Sequence, residues 1–114
     1  MAIQLIWGNC TNDVWCDFIN LNLEHEIFND LKGVYIIWSG EIPVRLGSGI
    51  IKDRIYDHRN NQEILDFADL KVTWAEVSEN SMENVEKYLA NVLQPEVGER
   101  FPDKQPIEVN LPWN

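Results

Sequence analysis

No stretch of this chain stays apolar for the ~18 to 20 residues that a membrane-spanning helix needs, which excludes a helical membrane protein. Positive charge is scarce. Nine Lys+Arg face nineteen Asp+Glu, a formal net charge of −10. Tight non-specific duplex binding draws its affinity from neutralised phosphates, so so acidic a chain is a poor candidate for it. Cysteine is scarce too: Cys10 and Cys16 stand alone, with no second pair to complete a zinc site. Their spacing permits a disulfide, but Met1 to Leu5 lacks the basic and long apolar segments of a signal peptide. A cytoplasmic location with both thiols reduced is therefore expected. No repeat, low-complexity tract or linker interrupts the 114 residues, enough for one modest core and not for two.

What is present is the material of a folded domain: 45% hydrophobic residues, five of them tryptophan. Ile3 to Trp7 reads as a short strand and Gly8 to Asp13 as a turn. Leu23 to Leu31 has helical apolar spacing, with Asn22 as a candidate cap. Val34 to Trp38 is β-branched and aromatic, a buried strand. Ser39-Gly40-Glu41 turns the chain into a partner strand, Ile42 to Leu46, whose Pro43 suits an edge or irregular start. Gly47-Ser48-Gly49 is expected to turn into a helix over Ile50 to Arg59, with a further helical turn within 61–69. Val72 to Val77 is a third strand. Asn80 and Glu83 have capping-box spacing ahead of a helix from Met82 to Gln94, stopped by Pro95. The last residues, Pro102 to Asn114, should lie extended over the body, pinned by Val109, Leu111 and Trp113. The expected fold is a small α/β (α+β) domain: a three-stranded, mainly antiparallel sheet flanked by helices, to which Ile3–Trp7 could add a strand.

Four residues carry chemistry out of place. On the last helix, Met82, Val85, Leu89, Val92 and Leu93 form an apolar stripe, and Glu86 falls inside it. A carboxylate there must be paired, hydrogen-bonded or metal-bound. A structural ion pair, or a helix rotated to leave Glu86 at the rim, is the plainer explanation from spacing alone. Arg54 and His58, i and i+4, share one helix face and could clamp a phosphate or simply form a solvated basic edge. Tyr35 alternates with Ile37 and is most simply core, unless that face opens onto a cleft. Arg45, Lys52, Arg54 and Arg59 against Asp53 and Asp57 make residues 43–60 a basic island of net +2. Such an island can meet a nucleic-acid phosphate locally.

Taken in order, Gly33-Val34-Tyr35, Arg45-Leu46-Gly47, Arg54, His58 and Glu86 resemble the GIY-YIG nuclease superfamily, over about residues 33–98. Residues 1–32 would be an N-terminal extension of that core and 99–114 a tail. The tail, from Val97-Gly98 to Leu111-Pro112, is similar to that of small stand-alone bacterial members. The resemblance implies an endonuclease or phosphodiesterase using one Mg²⁺ or Mn²⁺ ion, with DNA ahead of RNA as substrate. It implies Glu86 on the metal, Tyr35 at the attacking water, Arg54 on the phosphate and His58 in proton transfer. Two positions depart from the pattern. Arg45 replaces the second tyrosine and cannot act as a base, which leaves that role to Tyr35. Gly98 stands where the family often has asparagine, and offers backbone only. The alternative is a catalytically inactive module of the same fold, binding a nucleic-acid end or, given its acidity, a protein partner.

Overall fold

The computed structural model describes residues 3–11, 14–98 and 101–113. The chain adopts an α+β fold, a four-stranded antiparallel sheet with three helices packed against it. In chain order the elements are β1 (Cys16–Asp17), β2 (Lys32–Ser39), β3 (Ile42–Ile50), α1 (Ile51–His58), α2 (Gln62–Leu65), β4 (Leu70–Glu76) and α3 (Met82–Leu93). The sheet order is β1-β4-β2-β3, so β2 is central and β3 is an edge. Among the described residues, no helix is long and apolar enough to cross a membrane.

The β-branched and aromatic run of β2 earns the central position, because residues 33–38 are buried on both faces of the sheet. Its alternation divides the core in two. Tyr35 and Ile37 join Val72, Trp74, Phe18 and Phe28 on the face covered by Ile51 and Ile55 of α1. Val34, Ile36 and Trp38 join Leu46 and Ala75 on the face covered by Val85, Leu89 and Ala90 of α3. Each fully buried aliphatic side chain of these clusters contributes about 1.5–3 kcal/mol relative to exposure. Val92, expected on the α3 stripe, is instead exposed.

Strand β3 is longer than its sequence suggests. Gly47-Ser48-Gly49, expected as a turn, stays in register opposite Tyr35, Val34 and Gly33. The ladder bonds to β2 hold this glycine-rich segment extended, against its weak intrinsic preference. Ile37 pairs with Arg45 while Trp38 pairs with Pro43, so Val44 is the extra residue of a bulge. Pro43 is tolerated because β3 pairs with β2 alone.

The N-terminal third departs further from expectation. Leu23 to Leu31 forms only a 3₁₀ turn at Glu26–Phe28, where His25 Nδ1 accepts from the amide of Ile27 at 3.1 Å. Asn22 Oδ1 accepts from the amide of Glu24 at 3.1 Å, and Asp30 takes φ of 56°. These local bonds and the left-handed residue end the helix after one turn. The fourth strand is Cys16–Asp17, paired with Lys71 and Val72, whereas Ile3–Trp7 contributes a single parallel bridge from Ile3 to Val109. The reduced-thiol expectation is also corrected. Cys10 and Cys16 form a disulfide, because the turn closed by Cys10 N–H on the Val14 carbonyl (2.7 Å) brings their Cα atoms to 5.1 Å. The expected turn at Gly8 to Asp13 lies partly outside the described residues, since 12 and 13 are not among them.

The capping box at Asn80 does not form. Ser81 is the N-cap of α3 and makes no side-chain capping bond. The helix ends at Leu93, with Gln94 left-handed at φ 48° ahead of Pro95. The tail does lie over the α3 face: Val109 is buried, Leu111 packs on the core, and Trp113 meets Trp38 edge-on at 5.3 Å between centroids. Residues 99, 100 and 114 of the expected tail lie outside the described residues.

Candidate functional site

The edge strand β3 gathers most of the out-of-place chemistry. Tyr35 projects from β2 toward its cross-strand partner Gly47, and a Cβ at position 47 would overlap the phenol oxygen. Glycine is therefore required there, because only a bare Cα leaves room for the tyrosine ring. On α1, Ile51, Ile55 and His58 occupy the buried stripe at i, i+4 and i+7. That register delivers the imidazole to the phenol. Tyr35 Oη and His58 Nε2 share a buried hydrogen bond of 2.5 Å.

Burial and neighbouring charge set the protonation of this pair. Burial, followed by the charges of Arg45 and Arg54, pushes His58 down to about 4. At neutral pH the imidazole is uncharged, and in its Nδ1–H tautomer it accepts the phenolic proton. Burial raises the Tyr35 pKa, opposed in part by Arg54 and Arg45, so the phenol stays protonated. The Ile37 face does not open onto a cleft: Tyr35 and Ile37 are both fully buried.

Arg45 and Arg54 are the half-exposed cover of this pair. Arg45 reaches toward Gly98, whose φ of 105° and missing Cβ leave space for its guanidinium. Arg54 packs against Gly49, where a Cβ would meet its Cγ and Cδ at 3.4 Å. The Nε atoms of both arginines are buried and make no hydrogen bond. A buried charged donor without a protein acceptor is costly, so packing of the rest of each side chain must hold it in place.

Glu86 approaches from the α3 side and is half-buried rather than paired in an ion pair among the described residues. Its Oε1 accepts from Ser48 Oγ at 2.6 Å. Burial raises its pKa, opposed by the Ser48 bond and by Arg45, reinforced by Glu83 and opposed again by Arg54. Both arginines are thus close enough to act on Glu86 as well as on Tyr35. Ser48 is the residue that sequence reasoning missed. Read as a turn, Gly47-Ser48-Gly49 has no faces; read as a strand, alternation turns Ser48 to the face opposite Tyr35, toward α3.

Tyr35, Arg45, Arg54, His58 and Glu86 are accordingly brought together around β3. Lys52 and Arg59 are not. Lys52 Nζ donates to Glu24 Oε1 at 3.1 Å. Arg59 donates from Nε to the carbonyl of Phe18 at 3.0 Å and from Nη2 to that of Leu21 at 2.7 Å, tying down the N-terminal segment. Among the described residues, no three or more His, Cys, Asp or Glu side chains are grouped to hold a metal. Glu86 offers one carboxylate, which suits only a hard cation that completes its shell with water and ligand oxygens. Compared with protein-family models, curated proteins and solved structures, the chain matches none.

Proposed function

We propose that this protein is a divalent-metal-dependent phosphodiesterase of the GIY-YIG type, hydrolysing nucleic acid, with DNA preferred over RNA. The observation that carries the reading is the convergence of Arg45 and Arg54 on the hydrogen-bonded Tyr35–His58 pair and on the half-buried Glu86. Two guanidiniums are well matched to the oxygens of a phosphodiester and to the charge that grows on them during substitution. The net charge of −10 limits the contact to this local island.

In the proposed reaction Arg45 and Arg54 turn outward to grip the phosphate, uncovering the phenol beneath them. Water attacks phosphorus as the bond to the leaving nucleotide oxygen breaks, and that oxygen takes a proton from solvent water. Tyr35 relays the water's proton: Oη receives it while the phenolic proton passes to His58 Nε2, which the low imidazole pKa leaves free to accept. Ser48 orients the Glu86 carboxylate, the group that would hold Mg²⁺ or Mn²⁺. A bound cation there would neutralise charge on a non-bridging oxygen. The two departures from the family pattern are neighbours in space, since the Arg45 guanidinium fills the volume that a side chain at 98 would need.

The test is cleavage of supercoiled plasmid, branched DNA, single strands and RNA with Mg²⁺ or Mn²⁺. Metal-dependent cleavage abolished by Glu86→Ala is expected; cleavage undiminished in that variant would overturn the assignment. The complete burial of Tyr35 favours a second reading, a binding module without catalysis. It predicts oligonucleotide binding that depends on Arg45 and Arg54, with no cleavage under any metal.

A further inference from the structure

A recess of about 590 Å³ lies away from this cluster, at the β2–β3 hairpin, and is walled by Trp15, Trp38 and Trp113 with Pro43 and Leu93. Trp15 and Trp38 meet at 85° with centroids 5.4 Å apart, and Trp38 and Trp113 at 68° and 5.3 Å. The indoles meet edge to face rather than stacked, and the box they form is the space beside those contacts, open to the recess. Its volume falls within the range of small-ligand sites, which are mainly aromatic with a few placed polar groups. Among the described residues, the one charged residue on its wall is Glu41, at the exposed hairpin turn, and no lysine or arginine lines it.

That combination selects for a cation. Indole faces carry negative quadrupole charge and attract a cation within about 6 Å of the ring, most of all a weakly hydrated one. A carboxylate at the mouth and a net charge of −10 add attraction for positive ligands and repel phosphates. An ordinary primary ammonium would lose strong hydrogen bonds to water on entering such walls, and a quaternary ammonium has none to lose. Burial alone accounts poorly for the arrangement, because Trp113 remains 44% exposed where it closes the box. We infer that this recess is a binding site for a small quaternary ammonium ion of the choline type. It is independent of the phosphodiesterase reading and stands or falls separately.

The five tryptophans supply the assay, since each indole N–H gives its own proton–nitrogen NMR signal. Titration with choline or tetramethylammonium should move the signals of Trp15, Trp38 and Trp113 saturably and leave those of Trp7 and Trp74 in place. The neutral isostere 3,3-dimethylbutanol should bind far more weakly. Trp113→Ala should weaken choline binding roughly five- to ten-fold, between the values for an exposed and a desolvated cation–π wall. Glu41→Gln, an exposed turn substitution that leaves the walls intact, should weaken choline several-fold and leave the isostere unchanged. No saturable shift with choline, or equal binding of choline and its isostere, would overturn the proposal. So would an oligothymidylate that moves the same three signals while choline does not, which would make the box a base-stacking site.

Discussion

Acidification offers the sharpest test of how His58 is held. In the folded protein its imidazole is pushed down to about 4 from the 6.5 of an unperturbed histidine. Above about pH 6.5 the histidine is neutral in both folded and unfolded chains and contributes no pH dependence. Between 6.5 and 4 the unfolded chain binds a proton that the folded one refuses, so stability falls as the pH falls. A shift of that size corresponds to about 3 kcal/mol, lost progressively across this window and complete below the folded value. Against a typical domain stability of 5–15 kcal/mol, this is a large fraction. The measurement is urea unfolding at a series of pH values for the wild type and His58→Gln, which removes the titrating group and keeps a hydrogen-bonding side chain near Tyr35. The wild-type advantage over the variant should shrink by about 3 kcal/mol from neutral pH to about pH 4. Carboxylates elsewhere, including Glu86 with its raised pKa, titrate in both proteins and cancel in the difference. A constant difference across the series, or an NMR titration placing His58 near 6.5, would refute the buried, neutral imidazole.

Other consequences can be checked on the same preparation. Gly47→Ala should destabilise by about 1–3 kcal/mol in urea unfolding, the usual range for overpacking, because its methyl group would overlap the Tyr35 oxygen. Gly98→Ala should be costly alone and less so with Arg45→Ala, since removing the guanidinium removes the clash and leaves only the backbone strain. A double-mutant cycle should therefore show coupling of roughly 0.5–3 kcal/mol, and strict additivity would mean the two sites are not in contact. Reduction and alkylation of the Cys10–Cys16 disulfide, which closes a loop with a sequence separation of 6, should lower stability by about 2 kcal/mol on the loop-entropy scale. Thiol titration of the native, non-reduced protein should find no free cysteine.

The legible parts of the fold were those written in runs of side chains. Val34 to Trp38 announced a buried strand, and its alternation assigned Tyr35 and Ile37 to one face and Val34, Ile36 and Trp38 to the other, as observed. The i, i+4 spacing of Arg54 and His58 was equally plain, whereas Glu86 was only marked as lying within the α3 stripe, and it proves half-buried. Features decided by a distant partner were not. Gly47-Ser48-Gly49 has the composition of a turn, and only the ladder to Lys32–Tyr35 makes it a strand. Glu86 was recognisable as misplaced, but its partner Ser48 was hidden by that same reading. The disulfide depended on the Cys10 N–H bond to the Val14 carbonyl, which spacing alone does not disclose. Leu23 to Leu31 had helical periodicity, yet Asn22 and His25 spent their side chains on local backbone amides and stopped the helix after one turn.

The bridge between Ile3 and Val109 joins distant parts of the sequence. Ile3 N–H donates to the Glu108 carbonyl at 2.9 Å. Asn110 accepts from the Leu5 amide at 2.6 Å and donates back to the Leu5 carbonyl at 3.0 Å. Trp7 Nε1 then donates to the Asn110 carbonyl at 3.0 Å. These four bonds make the chain nearly a ring, fastened where residues 3–7 meet 108–110. A ring can be cut elsewhere: linking the two ends and opening the chain at the exposed Gly40–Glu41 turn should leave the sheet intact. The clasp is parallel, so residues 3–7 and 108–110 run side by side in the same direction, and pulling on one segment loads all four bonds at once.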